Sequence, residues 1–297
     1  MLRGMLFPAP PAPTFPDERK TIAEGHLRYE DLAQDGRLMP IALPPQMGGL
    51  WRNLLSRNPG SRAAQQSGIV PLLTRMTLST TPQHVRLDRP IEARGGFELA
   101  HDRDATGAVS RIFMNLWCDV YGATGRLFPP EAAGELALAG QMFAEHTFTR
   151  PFAPPEQRKV TALPPPFDAL PAAHYPLRPP AGAGEAPAGA TYVDELAADG
   201  VDHVFTLDQT DSNQHVNSLV YIGVFLEAAQ RRLASAGQNL RVRSREVDIT
   251  YRKPCFAGDK VRVWTRLFTH GDLVGAVGHV IGTDDKVRCY VRTVFGP

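Results

Sequence analysis

The end of the chain alternates apolar and polar residues in a pattern typical of antiparallel strands. The alternating runs, separated by turn residues such as Gly and Asp, are 243–253, 259–268, 273–282 and 286–295. Successive side chains of a strand point to opposite faces, so a period of two indicates strands with one buried face. This pattern predicts an antiparallel meander in the C-terminal part of the chain.

An apolar run, 218–234, precedes these strands and is apolar on nearly every side over its first three turns. Such a run predicts a buried helix, and Gly237 follows as a plausible helix stop. One buried helix followed by an antiparallel meander packs most simply when the sheet curls around the helix.

The first half of the chain carries a fainter copy of this pattern. The expected elements are a first strand and turn, a short helix and three strands, at 27–42, 47–58, 68–80, 90–102 and 109–122. The segment 85–99 holds a strand, a basic residue, a proline and a second strand, and it parallels 248–267. Two similar halves of this kind predict a duplicated unit.

A segment rich in proline and glycine, 151–189, separates the two halves. Proline lacks an N–H group and restricts φ, so this segment favours extended, polyproline-like backbone over a helix or a central strand. We therefore predict an α+β chain of four parts. These are an extended tail, an N-terminal unit, a proline-rich connection and a C-terminal unit, at 1–20, 21–150, 151–189 and 190–297.

Composition and charge exclude several classes of protein. The 297 residues are 43% hydrophobic and 21% charged, as is usual for soluble globular proteins. The net charge of +1 gives no excess of positive charge that would indicate binding to nucleic acid. No apolar run is long enough to span a membrane, and prolines interrupt the N-terminal apolar patch, so a cytoplasmic location is expected. Three widely spaced cysteines and the lack of phosphate-binding motifs predict no disulfide framework, no metal site and no cofactor.

A polar stretch, DQTDSNQHVN at 208–217, stands directly before the apolar helix. Asp, Asn and Ser are common in helix caps and turns, which is the structural alternative for these residues, but neither role requires a histidine. On an extended segment, the Asp-x-Asn-x-His spacing would place Asp211, Asn213 and His215 on one face. There a carboxylate or an imidazole could act as general base, and the N–H groups at the helix start could stabilise a developing oxyanion.

Together with the helix and the downstream segment Tyr251-Arg252-Lys253-Pro254-Cys255, this stretch resembles the hotdog-fold thioesterases. The likeness is to the 4-hydroxybenzoyl-CoA thioesterase and plant-type acyl-ACP thioesterase superfamily, and above all to acyl-ACP thioesterases that carry two hotdog units in one chain. An Asp-x-Asn-x-His-Val-Asn motif lies in the second unit of those enzymes. The resemblance implies two hotdog units, each a curved antiparallel sheet wrapped around a central helix.

The resemblance also implies a set of site residues. The catalytic candidates are Asp211, Asn213, His215 and Cys255, and the candidate substrate contacts around the helix start are Val216, Asn217, Ser218, Leu219 and Tyr221. For Cys255, packing as a small buried hydrophobe is the alternative. In plant-type members a catalytic glutamate precedes the cysteine, whereas this chain has Pro254 there. The corresponding turn of the first half, 33–37, holds no histidine, so only the second unit is expected to carry the chemistry.

The implied activity is hydrolysis of an acyl thioester, carried by acyl carrier protein or coenzyme A, which releases a free acid in fatty-acid or polyketide metabolism. Three alternatives stay open: a double-hotdog dehydratase or hydratase, an acyltransferase on the same scaffold, and an acyl-thioester binding protein without catalysis. Two sheet-forming halves in one chain imply a self-sufficient pseudo-dimer. A further homodimer can form but is not required for a pocket.

Overall fold

One continuous sheet runs through both halves of the chain in the computed structural model, which describes residues 5–7 and 9–296. The strands of the first half are β1 (Lys20–Gly25), β2 (Val70–Thr80), β3 (Ile91–Arg103), β4 (Val109–Ala123) and β5 (Leu136–Thr149). The later strands are β6 (Ala173–His174), β7 (Thr191–Tyr192), β8 (Ala197–Ala198), β9 (His203–Val204), β10 (Arg243–Tyr251), β11 (Lys260–His270), β12 (Leu273–Gly282) and β13 (Val287–Gly296). The α-helices are α1 (Leu43–Leu50), α2 (Pro59–Gln66) and α3 (Ser218–Ser235).

The strand order repeats itself about the middle of the sheet. Strands β1, β3, β4, β5 and β2 are followed by β10, β13, β12, β11 and β7. In each half, the first long strand after the helices lies at the middle and the three later strands lie outward from it. Strands β2 and β10 pair antiparallel, with Met76 opposite Ile249, so neither half leaves its central edge exposed. The two halves therefore share one continuous sheet.

Helix α3 is buried against the sheet of the second half, as the sequence predicted. The side chain of Asn217 caps its first turn by accepting the Leu219 N–H. Gly237 follows the helix with a φ of 66°, a left-handed conformation that glycine adopts without strain. The predicted helix and the four predicted strands that follow it are confirmed.

The largest cluster of buried apolar side chains extends across the junction between the halves. It includes Leu43 and Leu78 of the first half together with Phe225, Val247 and Val291 of the second. The interior is therefore shared between the halves and is not divided into two isolated cores.

Residues 27–42 form the predicted turn, at 33–37, but not the predicted first strand. The edge strand β1 comes earlier, and 27–42 forms short 3-10 turns joined by a bridge between Leu32 and Leu38.

Strand β5 was not predicted, because its residues 142–148 are buried on both faces and the apolar and polar positions do not alternate. Tertiary packing on two sides hides the period-two signal on which the prediction depends.

The predicted helix at 47–58 begins earlier than expected, at Leu43. Two prolines occupy its first turn, where the missing N–H groups need no partner. The helix continues as a π-helical turn at Trp51–Leu55, and α2 follows separately. The first half thus has two short helices where the second half has one long helix.

The tail and the proline-rich connection cover the side of the sheet that faces away from α3. The indole N–H of Trp117 donates to the Pro10 carbonyl at 2.8 Å, and Phe7 is buried. In the connection, Tyr175 donates its hydroxyl to buried Glu145 at 2.8 Å, and β6 pairs with β3. The connection is therefore packed onto the sheet. Over residues 5–7 and 9–296, no helix is both long and apolar enough to cross a membrane.

His146 is a buried histidine of the first half, and burial lowers its pKa to about 4. Its Nδ1 has no hydrogen-bond partner among the described residues, and its ring centre lies 6.0 Å from that of Trp51. Because the pKa of His146 is lower in the folded than in the unfolded state, protonation favours the unfolded state. The full stability is therefore present above about pH 6.5 and is lost as the pH falls toward 4. We expect the free energy of unfolding to decrease by on the order of 3 kcal/mol over this window.

Urea unfolding of the wild type and of His146→Leu at pH 7 and pH 4.5 measures this effect. The variant should lose much less stability than the wild type between the two pH values. Equal losses in both proteins would show that the acid sensitivity arises elsewhere.

Candidate functional site

The polar stretch forms a tight turn between Thr210 and Val216, which pair through a β-bridge. The Asp211 N–H donates to the His215 carbonyl at 3.0 Å, and Gln214 has a positive φ of 65°. The expectation of an extended segment, with alternate side chains on one face, is therefore wrong. The local hydrogen bonds that the Asp211 side chain accepts favour the turn over extended backbone.

Asp211 is linked to the start of α3 through the side-chain amide of Asn217. One carboxylate oxygen accepts the Asn213 N–H at 2.8 Å, and the other accepts from Asn217 Nδ2 at 3.2 Å. The Asn217 Oδ1 in turn accepts the Leu219 N–H at 2.9 Å. A negative charge at this place interacts favourably with the positive end of the helix dipole. Both oxygens of the carboxylate are thus engaged in holding the turn.

His215 is half-buried, and its Nδ1 lies 3.2 Å from the Val216 carbonyl oxygen. A carbonyl oxygen can only accept, so this contact places the proton on Nδ1 and leaves the lone pair on Nε2. The imidazole can therefore accept a proton at Nε2. The side chain of Asn213 is exposed and makes no hydrogen bond within the described part of the chain.

Most backbone N–H groups around the start of α3 already have acceptors. The Val216 N–H donates to the Cys255 carbonyl at 2.8 Å, and the Asn217 N–H donates to the Gln209 carbonyl at 2.9 Å. The Ser218 N–H has no acceptor among the residues that the structure describes. This group is a free donor at the positive end of a buried helix, which is an arrangement that can stabilise an oxyanion.

Two tyrosines hold the helix start against the neighbouring strand end. The Tyr251 hydroxyl donates to the Ser218 carbonyl at 3.0 Å, and the Cys255 N–H donates to the Tyr221 hydroxyl at 2.8 Å. Cys255 is fully buried, and burial raises the pKa of its thiol. A thiol kept protonated is a poor nucleophile, so the geometry favours packing for Cys255. Pro254 is exposed.

The first half contains a loop with the same hydrogen-bond pattern. Leu32 and Leu38 form the bridge, the Ala33 N–H donates to the Arg37 carbonyl at 2.8 Å, and Gly36 has the positive φ, 81°. This match in backbone structure shows that the two loops are equivalent.

The equivalent loop lacks the side chains of the second. Ala33 stands at the position of Asp211 and Arg37 at that of His215, while the Arg37 guanidinium pairs with Asp35 at 2.8 Å. Only the loop of the second half therefore combines a carboxylate, an imidazole and a helix start. Within the described residues, no group of three or more His, Cys, Asp or Glu side chains is arranged to hold a metal ion.

Two contacts that shape the site were not predicted from the sequence. One is the bridge that Asn217 makes between Asp211 and the helix, and the other is the contact of Tyr251 with Ser218. The position of Asn217, last before an apolar run, was a signal for a helix cap. The Tyr251 contact joins residues 33 positions apart, and no local pattern indicates it.

Residues 203–297 match the family model of the acyl-ACP thioesterase C-terminal domain. An acyl-ACP thioesterase from Bacteroides thetaiotaomicron is similar in structure, with a TM-score of 0.61, 13% identity, and coverage of 93% of this chain and 98% of that chain. The 12:0-ACP thioesterase from Umbellularia californica has a TM-score of 0.61 and 12% identity, with 94% of each chain covered. No curated protein sequence matches the chain.

The solved structures show a common fold over nearly the whole chain. The family match confirms the resemblance that was inferred from the polar stretch and its helix, and with it the expected enzyme class, a thioester hydrolase.

Proposed function

We propose that this chain, whose residues 203–297 match the family model of the acyl-ACP thioesterase C-terminal domain, hydrolyses acyl thioesters of acyl carrier protein and releases a free acid. The observation that carries the proposal is the joint placement of two groups at the start of α3. With a neutral imidazole and its proton on Nδ1, His215 offers a lone pair on Nε2, and three residues later Ser218 offers an N–H that has no acceptor among the described residues. Thioester hydrolysis needs both a base for water and a donor for the oxyanion.

In the proposed reaction, His215 Nε2 takes a proton from a water molecule as the water oxygen attacks the thioester carbonyl. The carbonyl oxygen becomes negative and is stabilised by the Ser218 N–H. When the intermediate collapses, the C–S bond breaks and the imidazolium returns the proton to the departing thiolate. A single oxyanion donor of this kind contributes about 100- to 1,000-fold to the rate in other enzymes.

Asp211 and Asn213 have supporting parts in this mechanism. Both Asp211 oxygens accept hydrogen bonds within the loop, which favours a positioning role for this carboxylate over that of the base. The exposed amide of Asn213 is available to orient water or substrate. Because Pro254 supplies no acid where plant-type members have a glutamate, the base function falls on His215.

We further infer that the chain comprises two hotdog units, at 21–150 and 190–297, joined by the connection at 151–189. The symmetric strand order and the equivalent loops support this division. The substrate contacts are proposed to come from the helix start of the second unit, with Val216, Asn217, Ser218, Leu219 and Tyr221 as the residues.

A panel of acyl-ACP and acyl-CoA thioesters of several chain lengths, assayed for free thiol release, tests the function. We expect cleavage of acyl-ACP thioesters, with a higher kcat/KM than for acyl-CoA of the same chain. Hydration or dehydration of an unsaturated or hydroxylated acyl chain without thiol release would instead favour a dehydratase or hydratase. Binding without turnover of any member would favour a non-catalytic acyl-thioester binding protein.

A further inference from the structure

Three consecutive hydrogen bonds connect the Tyr221 hydroxyl with the imidazole of His215. The Tyr221 oxygen accepts the Cys255 N–H at 2.8 Å, and the Cys255 carbonyl accepts the Val216 N–H at 2.8 Å. The Val216 carbonyl in turn accepts the Nδ1–H of His215 at 3.2 Å. The side chain of a helix residue is thus linked, through the backbone of two other residues, to the proposed general base.

The residues that form this chain of hydrogen bonds are closed to solvent. Tyr221 and Val216 are 3% and 2% exposed, and Cys255 is fully buried. A buried N–H group without an acceptor costs free energy, so each of these groups needs a partner within the protein. Because solvent does not reach the Cys255 N–H, the position of the Tyr221 oxygen determines where the backbone of Cys255 lies.

The carbonyl of Val216 is held from two sides. The Val216 N–H is bound by the Cys255 carbonyl, and the N–H of the next peptide group, at Asn217, donates to the Gln209 carbonyl at 2.9 Å. Val216 therefore presents its carbonyl oxygen to Nδ1 in a fixed direction. A shift of Cys255 would remove one of these two supports.

The ring of Tyr221 is itself fixed by aromatic neighbours. Its centre lies 5.5 Å from that of Phe205 and 6.0 Å from that of Tyr251. Tilted and edge-on contacts at these distances are favourable for aromatic pairs. The hydroxyl of Tyr221 is therefore held at one place, beside the Cys255 N–H.

We propose that Tyr221 is a positioning residue, whose hydroxyl keeps His215 in the tautomer with a free lone pair on Nε2. The proposal rests on the proposed function, because it assigns Tyr221 a part in the action of the general base. In a neutral imidazole, the hydrogen bond at one ring nitrogen decides which nitrogen carries the proton. Without an oriented acceptor at Nδ1, the proton can move to Nε2, where it prevents the imidazole from accepting a proton from water. The ring of Tyr221 remains a proposed substrate contact, whereas its hydroxyl acts through His215.

Nitrogen NMR of isotope-labelled histidine side chains tests the proposal without any turnover. The spectra are recorded at about pH 8, where an unperturbed histidine is neutral. His215→Ala identifies the signals of His215 among those of the nine histidines. We expect the proton on Nδ1 in the wild type and a shift of the population toward Nε2 in Tyr221→Phe. A proton on Nε2 in the wild type, or wild-type signals in Tyr221→Phe, would overturn the proposal.

A kinetic cycle shows whether Tyr221 acts through His215. Tyr221→Phe should lower kcat for acyl-ACP by about 10- to 100-fold, the usual cost of a misoriented functional group. It should leave KM unchanged, because phenylalanine keeps the ring. In the His215→Ala background the same change should have no further effect on kcat, since the group that Tyr221 positions is already absent. Losses that multiply in the double variant would contradict the proposal.

Tyr175→Phe is the matched control for the loss of a buried hydroxyl. Tyr175 is 8% exposed and donates to Glu145 at 2.8 Å, in the proline-rich connection. This variant should lose stability in urea unfolding as Tyr221→Phe does, but keep the wild-type kcat and the wild-type signals of His215. A loss of kcat as large as that of Tyr221→Phe would indicate a general effect of stability, against the proposal. If the wild type cleaves no thioester, the proposed function fails, and the NMR result still decides whether Tyr221 sets the tautomer of His215.

Discussion

His215→Ala should lower kcat for thioester hydrolysis by about 100- to 10,000-fold, which is the usual cost of removing a positioned general base. The contact of Nδ1 with the Val216 carbonyl leaves Nε2 as the proton acceptor, and alanine offers no substitute.

Asp211→Asn should also remove most turnover, because the amide retains an acceptor for the Asn213 N–H but loses the negative charge facing Asn217. Steady-state kinetics with acyl-ACP, together with circular dichroism to verify the fold, measure both variants.

Asp208→Asn is the matched control for the carboxylate. Asp208 is exposed in the same polar stretch and makes no side-chain hydrogen bond among the described residues, so its variant should keep wild-type kcat. Cys255→Ala should also retain activity if this buried residue only packs. If His215→Ala cleaved the thioester at the full rate with an unchanged pH profile, residues 208–217 would have only a structural role, as a helix cap and a turn. The catalytic interpretation would then be wrong.

The elements that sequence analysis identified are those whose packing produces a simple period. Helix α3 is buried on most sides, and apolar residues alternate with polar ones along β10 and β11, so the apolar positions recur at the spacing of a helix or of a strand. Strand β5 is buried on both faces over 142–148 and gives no such period. The period-two alternation identified β10 and β11, and its absence over 142–148 left β5 unrecognised.

The composition of the site was visible in the sequence, but its conformation was not. The identities of Asp211, Asn213 and His215 suggested chemistry, and the apolar run after them indicated a helix start. The positive φ of Gln214 gave no signal, because glycine is the residue that usually marks this conformation. The equivalent turn of the first half does have glycine at this position, Gly36, and there the turn was recognised.

Contacts between the halves are the least accessible to sequence analysis. Asp248 of β10 accepts two hydrogen bonds from Arg75 of β2, at 2.9 and 2.6 Å, and these residues are 173 positions apart. No periodic pattern relates them. The alternation on β10 even suggested that Asp248 faces solvent, whereas the tail and the connection cover this side of the sheet.

Asp248→Ala should decrease the free energy of unfolding by about 3–5 kcal/mol, as expected when one partner of a buried ion pair is removed. Asp248 is fully buried, and it also accepts from Arg292 Nε at 2.9 Å and from the Thr77 hydroxyl at 3.1 Å. Alanine would leave the guanidinium groups of Arg75 and Arg292 without their counter-ion at the junction of β2 and β10. Urea unfolding at pH 7, followed by tryptophan fluorescence, measures the loss.

The triple variant Asp248→Leu/Arg75→Met/Arg292→Met separates the cost of unpaired charge from the value of the ion pairs themselves. Replacing all three by apolar residues of similar volume removes the buried charges together, and such replacements are often neutral or stabilising by about 1–4 kcal/mol. We therefore expect the triple variant to recover most of the stability that Asp248→Ala loses. A triple variant as unstable as the single one would show that these hydrogen bonds contribute net stability to the junction. A stability of Asp248→Ala equal to that of the wild type would contradict the prediction that this carboxylate is required to compensate the two arginines.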